Sequence, residues 1–150
     1  LDFGIGRGTF PDHHDAFNSP FAESRGRFEE YLEIILKSWA TEQFSFEGEH
    51  YQCHDLKVRP KPFQDPHPPI RVGITSAETF PIIGRMGYPI FINPYRVFSL
   101  SELAPNIQQY REAWKQAGHA GEGNVGLRVP VYAAEKAEDA YNQPMESAMA

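Results

Sequence analysis

Two short stretches of this sequence carry the residue types from which an anion site can be built. The first is Gly4-Ile5-Gly6-Arg7-Gly8, at the end of a short apolar run. Glycines let the backbone approach a ligand closely, and an arginine can fork onto a phosphate with two N–H groups. The second is Thr75-Ser76-Ala77-Glu78-Thr79, which follows the apolar run Ile70-Arg71-Val72-Gly73-Ile74. Ser76 and Thr79 place two hydroxyls at the start of a helix, where free N–H groups and the positive end of the dipole favour an anion. Neither stretch is a dinucleotide fingerprint or a P-loop. Thr9 stands where G-x-G-x-x-G needs glycine, and no Gly-Lys-Ser/Thr follows. Each has a plain structural reading as well. Arg7 can be an exposed residue on a tight turn, and Ser76 can simply cap its own helix. Pro81 bears on the second stretch, because it either removes a backbone bond or shifts the helix start.

Other polar groups carry less. Asp12-His13-His14-Asp15 are adjacent, and adjacent residues rarely converge on one metal ion. His50, Cys53 and His54 lack a fourth ligand. Glu23, Glu29, Glu30 and Glu33 read as the solvated flank of a helix. No Ser-His-Asp or Cys-His spacing supports a catalytic triad. No catalytic acid or base can be named from these residues.

The elements that position the two stretches follow from periodicity. Residues 1–6 read as a strand and 7–23 as a loop. Phe28, Tyr31, Leu32, Ile35 and Trp39 share one face of a helix over 24–40. Residues 44–59 alternate around Glu47-Gly48-Glu49 and read as a hairpin. Five prolines between 60 and 69 make that stretch an extended connector. Strands are expected over 70–75, 89–93 and 125–133. Helices are expected over 77–86, closed by Gly87, around Ile107, Tyr110 and Trp114, and over 135–143. Pro105 is expected in the first turn of its helix. This alternation predicts an α/β fold with parallel strands and about four βα units. Both candidate stretches then lie at carboxyl ends of neighbouring strands, where such folds bind ligands. Four units in 150 residues equal about half of a (β/α)8 TIM barrel. A small open doubly wound sheet is the alternative.

Composition narrows the function. The chain has 14 Lys+Arg against 20 Asp+Glu, a formal charge of −6. That argues against a nucleic-acid backbone as the main partner. The apolar runs are too short to span a membrane. A single cysteine, Cys53, excludes an internal disulfide and suits a reducing, cytoplasmic setting. The sequence opens at Leu1 directly on a strand pattern, so a piece of a longer protein is expected.

The motifs, taken in order, resemble the bacterial-luciferase-like family of flavin-dependent monooxygenases. Phe3-Gly4-Ile5-Gly6-Arg7-Gly8 matches a G-x-G-R-G strand end, and Arg25-Gly26-Arg27-Phe28-Glu29-Glu30 with Trp39 matches an R-F-x-E…W helix. Phe44-Ser45-Phe46-Glu47-Gly48-Glu49-His50-Tyr51 matches an F-x-F-x-G-x-x-Y hairpin. Pro60-Lys61-Pro62 and Pro66-His67-Pro68-Pro69-Ile70 match the family's connector. The resemblance implies a (β/α)8 barrel of which 1–150 is one domain fragment, central to late in the barrel, with the first strands and the last strand missing. It implies a flavin, reduced FMN or the alternative F420, held at its phosphate by Arg7, Gly8, Ser76 and Thr79. Thr75 stands where some members carry Glu.

The implied function is a monooxygenase that uses reduced flavin and O2 on a small organic substrate. A flavin reductase partner and a homodimer belong to the same implication. The alternatives are an F420-dependent hydride-transfer oxidoreductase on the same barrel, a non-catalytic flavin-binding protein, and a half-barrel binding a sugar phosphate or nucleotide. As a half-barrel with two open edges, the isolated chain is expected to be poorly stable, to self-associate or to need further strands, and to be inactive.

Overall fold

The computed structural model describes residues 1–94, 99–129 and 131–145. Its centre is a parallel four-stranded sheet. Strand β1 (Phe3–Ile5) pairs with β4 (Ile70–Ile74), β4 with β5 (Ile90–Ile92), and β5 with β6 (Val125–Leu127). The spatial order is therefore β1-β4-β5-β6. Strands β2 (Phe44–Glu47) and β3 (Gln52–Leu56) form a separate antiparallel hairpin. The α/β architecture with a parallel sheet is the one the alternation predicts.

Side-chain alternation divides the sheet into two faces. Ile70, Val72, Ile74, Ile90 and Ile92 are buried against the helices. Gly4, Gly73 and Phe91 point the other way and are exposed. Three helices contribute to or pack on this sheet's core after β1, β4 and β5. They are α2 (Ser24–Ala40), α3 (Thr79–Met86) and α4 (Leu100–Gln116). Phe80 and Ile83 of α3 and Tyr110 and Trp114 of α4 join the sheet residues in one core. Gly84 makes the α3–α4 approach possible, since a Cβ there would lie 2.4 Å from the Tyr110 carbonyl oxygen. Gly87 ends α3 in the left-handed conformation at φ 77°, as the sequence predicts.

Several boundaries differ from expectation, each for a physical reason. The loop expected over 7–23 contains a short helix, α1 (Pro11–Ala16), and a 3-10 turn (Phe21–Glu23). Proline at the first position and Asp12 in the first turn favour α1, but it buries no residue and so leaves no apolar period to read. Pro105 lies inside α4 rather than in its first turn. The helix starts earlier because Ser99 donates its N–H to the Glu102 carboxylate (2.8 Å) while its carbonyl accepts from the Glu102 N–H. The strand expected over 125–133 has its ladder at Val125–Leu127, extended by one bond from the Arg128 N–H to the Ile92 carbonyl. Its partner β5 ends there, and residue 130 lies outside the described residues. The final helix, α5, is shorter than expected, at Ala137–Asn142.

Candidate functional site at the carboxyl ends of the strands

Arg7 follows β1 by two residues, and Thr75 follows β4 directly. Parallel pairing brings these strand ends side by side. Between them opens a cavity of about 290 Å³. Arg7, Gly8, Thr75 and Thr79 line it, and Gly73 and Phe91 contribute from the sheet. Ser76 is held to this group, because its Oγ lies 2.8 Å from the Thr79 Oγ1. The structure thus brings Arg7, Gly8, Ser76 and Thr79 to one place.

The details correct parts of the sequence reading. Ser76 does not cap α3. The helix begins at Thr79 with Glu78 as its N-cap. Pro81 consequently falls in the first turn, where its missing N–H has no intrahelical partner to lose. The N–H groups of Thr79 and Phe80 donate back to the Ser76 and Ala77 carbonyls (3.2 and 3.3 Å). Hydroxyls therefore carry the hydrogen-bonding capacity expected from these amides.

Arg7 is positioned by aromatic packing. Its guanidinium sits 5.7 Å from the centre of the Phe21 ring, and His14 meets the same ring edge-on at 5.1 Å. Gly8 has φ 88°, and a Cβ there would lie 2.6 Å from His14 Nε2. Any other residue at position 8 strains the backbone and displaces the imidazole. The chain thereby presents its backbone, not a side chain, beside Arg7.

Three residues that the sequence reading did not assign to the site also line the cavity. Arg25 comes from the first turn of α2, Asn93 follows β5, and Arg128 follows β6. The signal for Arg25 was available: a helix that follows a strand starts at the strands' carboxyl end. Arg25 and Arg7 both act on Glu78. The Ser76 hydroxyl, then Glu78's own backbone N–H, then the charges of Arg7 and Arg25 hold the Glu78 carboxyl below its ordinary range.

The acidic flank of α2 is also not uniformly solvated. Glu29 lines the cavity, and Glu23 pairs with Arg27 at 2.7 Å. Glu30 accepts the N–H groups of Glu49 (2.8 Å), His50 (3.1 Å) and Tyr51 (3.0 Å) from the hairpin turn. Only Glu33 keeps the expected role, in an exposed i,i+4 pair with Lys37. Among the described residues no helix is long and apolar enough to cross a membrane.

Comparison with known proteins bears on this geometry. The family model described as luciferase-like monooxygenase matches residues 1–148. An FMNH(2)-dependent dimethylsulfone monooxygenase from Pseudomonas putida is 29% identical over 136 residues, covering 89% of this chain and 36% of that protein. Among solved structures, the monooxygenase RslO1 from Streptomyces bottropensis superposes with a TM-score of 0.84 at 26% identity, over 99% of this chain and 46% of that one. The coenzyme F420 dependent tetrahydromethanopterin reductase from Methanopyrus kandleri has a TM-score of 0.71 at 14% identity, over 93% and 43% of the two chains, a likeness of fold. The chain spans less than half the length of each of these proteins.

Proposed function

The chain belongs to the luciferase-like monooxygenase family, and from that premise we propose that its strand-end cavity holds the phosphate of reduced FMN in a flavin-dependent monooxygenase. The observation that carries this reading is the convergence of Arg7 and Thr79 on one cavity, with Ser76 tied to Thr79. The donor set fits a phosphate monoester. Three guanidiniums, Arg7, Arg25 and Arg128, against the Glu29 carboxylate balance a dianion, and the Thr75 and Thr79 hydroxyls line the same cavity as donors to its oxygens. Gly8, at a left-handed φ of 88°, lines the cavity with backbone beside Arg7. When bound, reduced flavin supplies the electrons that activate O2 for oxygenation of a small organic substrate. The chain's own part is to anchor the flavin tail, fix its orientation, and shield the site from water. Charge-assisted hydrogen bonds contribute about 1.5–3 kcal/mol each. Three of them, less the cost of ordering, give roughly micromolar affinity, suited to a cofactor that exchanges.

FMN is favoured over F420 because the FMN-linked relative matches in sequence, whereas the F420 protein matches in fold. The chain is read as a partial (β/α)8 barrel with four βα units. In support, among the described residues β1 and β6 are each paired on one side only, and a second cavity of about 410 Å³ beside β1 is lined by Tyr31, Leu32 and Ile35, a face suited to a further βα unit. A flavin reductase, a homodimer and a cytoplasmic setting complete the reading. The test is to titrate FMN, riboflavin and F420 against wild type and Arg7→Ala. The expected result is FMN binding that depends on Arg7 and riboflavin binding that does not. Unchanged FMN affinity in Arg7→Ala would contradict the reading, and a tighter fit of F420 would exchange the cofactor.

A further inference from the structure

The cavity has two ends. Arg7 stands at one, after β1, and Arg25 and Glu29 of α2 line the same cavity. Helix α2 lies along β1, where Trp39 meets the Phe3 ring edge-on at 5.0 Å. The other end belongs to Asn93 and Arg128, which follow β5 and β6 directly. Strands β1 and β6 are the outer strands of the sheet, three intervals of about 4.8 Å apart, so about 14 Å separates the two ends. The Arg128 N–H still bonds the Ile92 carbonyl (2.9 Å), which carries the β5–β6 register past Ile92 and Leu127 to Asn93 and Arg128. These two residues therefore stand next to each other on the cavity face. Among the described residues, neither side chain has a hydrogen bond or an ion pair. We propose that Asn93 and Arg128 form the substrate-binding end of the cavity, a pair of N–H donors for one carbonyl-type oxygen of an uncharged substrate with an apolar body. This inference rests on the reading of the opposite end as the phosphate site.

Charge and surface together define that substrate. Three positive side chains, Arg7, Arg25 and Arg128, less the negative Glu29 leave the lining at a formal +2. A phosphate dianion uses all of it. A second anion would bring the occupied cavity to −1, whereas a neutral acceptor leaves it balanced. The guanidinium offers donors only, and the Asn93 amide can present its NH2 beside it, so the pair calls for an acceptor oxygen. The surface next to these donors is apolar. Phe91 precedes Asn93 by two residues, shares its face of the sheet, and is 43% exposed. Its ring leans over Gly126, where a Cβ would lie 2.7 Å from a ring carbon. Gly126 in turn precedes Arg128 by two residues on the same face. An exposed aromatic ring thus adjoins two unpartnered donors, a surface that takes a molecule with one polar oxygen and an apolar remainder.

The test titrates three probes of one length, 2-hexanone, hexanoate and hexane, into the FMN-saturated full chain. Shifts of the Asn93 side-chain amide in the NMR spectrum report occupancy of this end. 2-Hexanone is expected to bind more tightly than either of the others. Arg128→Met keeps an apolar stem and removes the donors. It is expected to weaken 2-hexanone about tenfold and to leave hexane unchanged. FMN affinity in this variant is expected to fall by less than about threefold at 150 mM salt, because the phosphate lies at the other end and the lost charge is screened. Asn93→Ala, followed by the Phe91 amide signal, is expected to weaken 2-hexanone in the same direction. Unchanged 2-hexanone affinity in Arg128→Met overturns the inference, as does hexanoate binding more tightly than 2-hexanone. A loss of FMN in Arg128→Met as large as in Arg7→Ala also overturns it, since Arg128 would then be a phosphate anchor. Arg7→Ala, run alongside, separates the two levels. If it weakens FMN while Arg128→Met leaves 2-hexanone unchanged, this inference alone falls. If it binds FMN as wild type does, the phosphate reading falls, and the charge argument with it.

Discussion

Two carboxylates in this molecule meet comparable numbers of partners and do opposite things with them. Glu30, on α2, collects three backbone N–H groups from the single turn of the β2–β3 hairpin. Glu78, before α3, is held below its ordinary range by the Ser76 hydroxyl, by its own backbone N–H and, at longer range, by the charges of Arg7 and Arg25. Backbone donors of one turn have no alternative ligand, so Glu30 is a permanent strut. Side chains such as Arg7 and Arg25 can turn to an incoming anion, and both line the cavity, as does Thr79 next to Glu78. The lesson is that a depressed carboxyl is not by itself a functional mark. What distinguishes the two is the identity of the donors and the cavity next to one of them.

The largest expected effect lies on the cavity side. Arg7→Ala removes one charge-assisted anchor and is expected to weaken FMN about ten- to a hundredfold, read by fluorescence titration, while the thermal midpoint barely moves. If stability falls as much as affinity, Arg7 is a strut like Glu30 and the comparison fails. On the hairpin side the expectation is reversed. Glu30→Ala leaves three N–H groups without their acceptor. Amide exchange at Glu49, His50 and Tyr51 is expected to quicken by about tenfold or more, with FMN affinity unchanged. Altered FMN affinity there would show that the hairpin also shapes the site.

The pH dependence sharpens the same contrast. Burial pushes the Glu30 carboxyl up, but the N–H groups of His50, Glu49 and Tyr51 outweigh it, and the net shift is downward. A folded pKa below the unfolded one stabilises the protein above the unfolded value, near 4.5. That stability is lost as pH falls through the folded value. Melting curves between pH 6 and 3 are expected to show this acid limb in wild type and to show less of it in Glu30→Gln. The smallest effect belongs to Glu33, whose pair with Lys37 is exposed at 2.8 Å. Glu33→Ala is expected to cost less than about 0.5 kcal/mol by denaturant unfolding.

Much of this was legible in the sequence. The helix over 24–40, the hairpin and the strand–helix alternation were written in apolar periods of 3.6 and 2, because burial fixes those periods. The pairing of the Arg7 and Ser76 turns followed from parallel topology alone. What stayed hidden depended on contacts between distant segments. Glu30 reads as solvated until the hairpin turn is folded against it. Arg25 reads as part of a helix motif until β1 and α2 are placed around the cavity. Glu78 replaces Ser76 as the cap because Thr79 starts the helix, a choice no local pattern announces. The start of α4 was readable from Ser99 and Glu102, but the stronger apolar period beginning at Ile107 drew the boundary too late.

The central claim is that one phosphate group is held between the ends of β1 and β4. A crystal structure of the chain with FMN bound tests it directly. The expected density places phosphate oxygens at about 2.7–2.9 Å from the Arg7 guanidinium, with the Thr79 hydroxyl on the same group. A flavin phosphate seated anywhere that Arg7 and Thr79 do not reach would contradict the account.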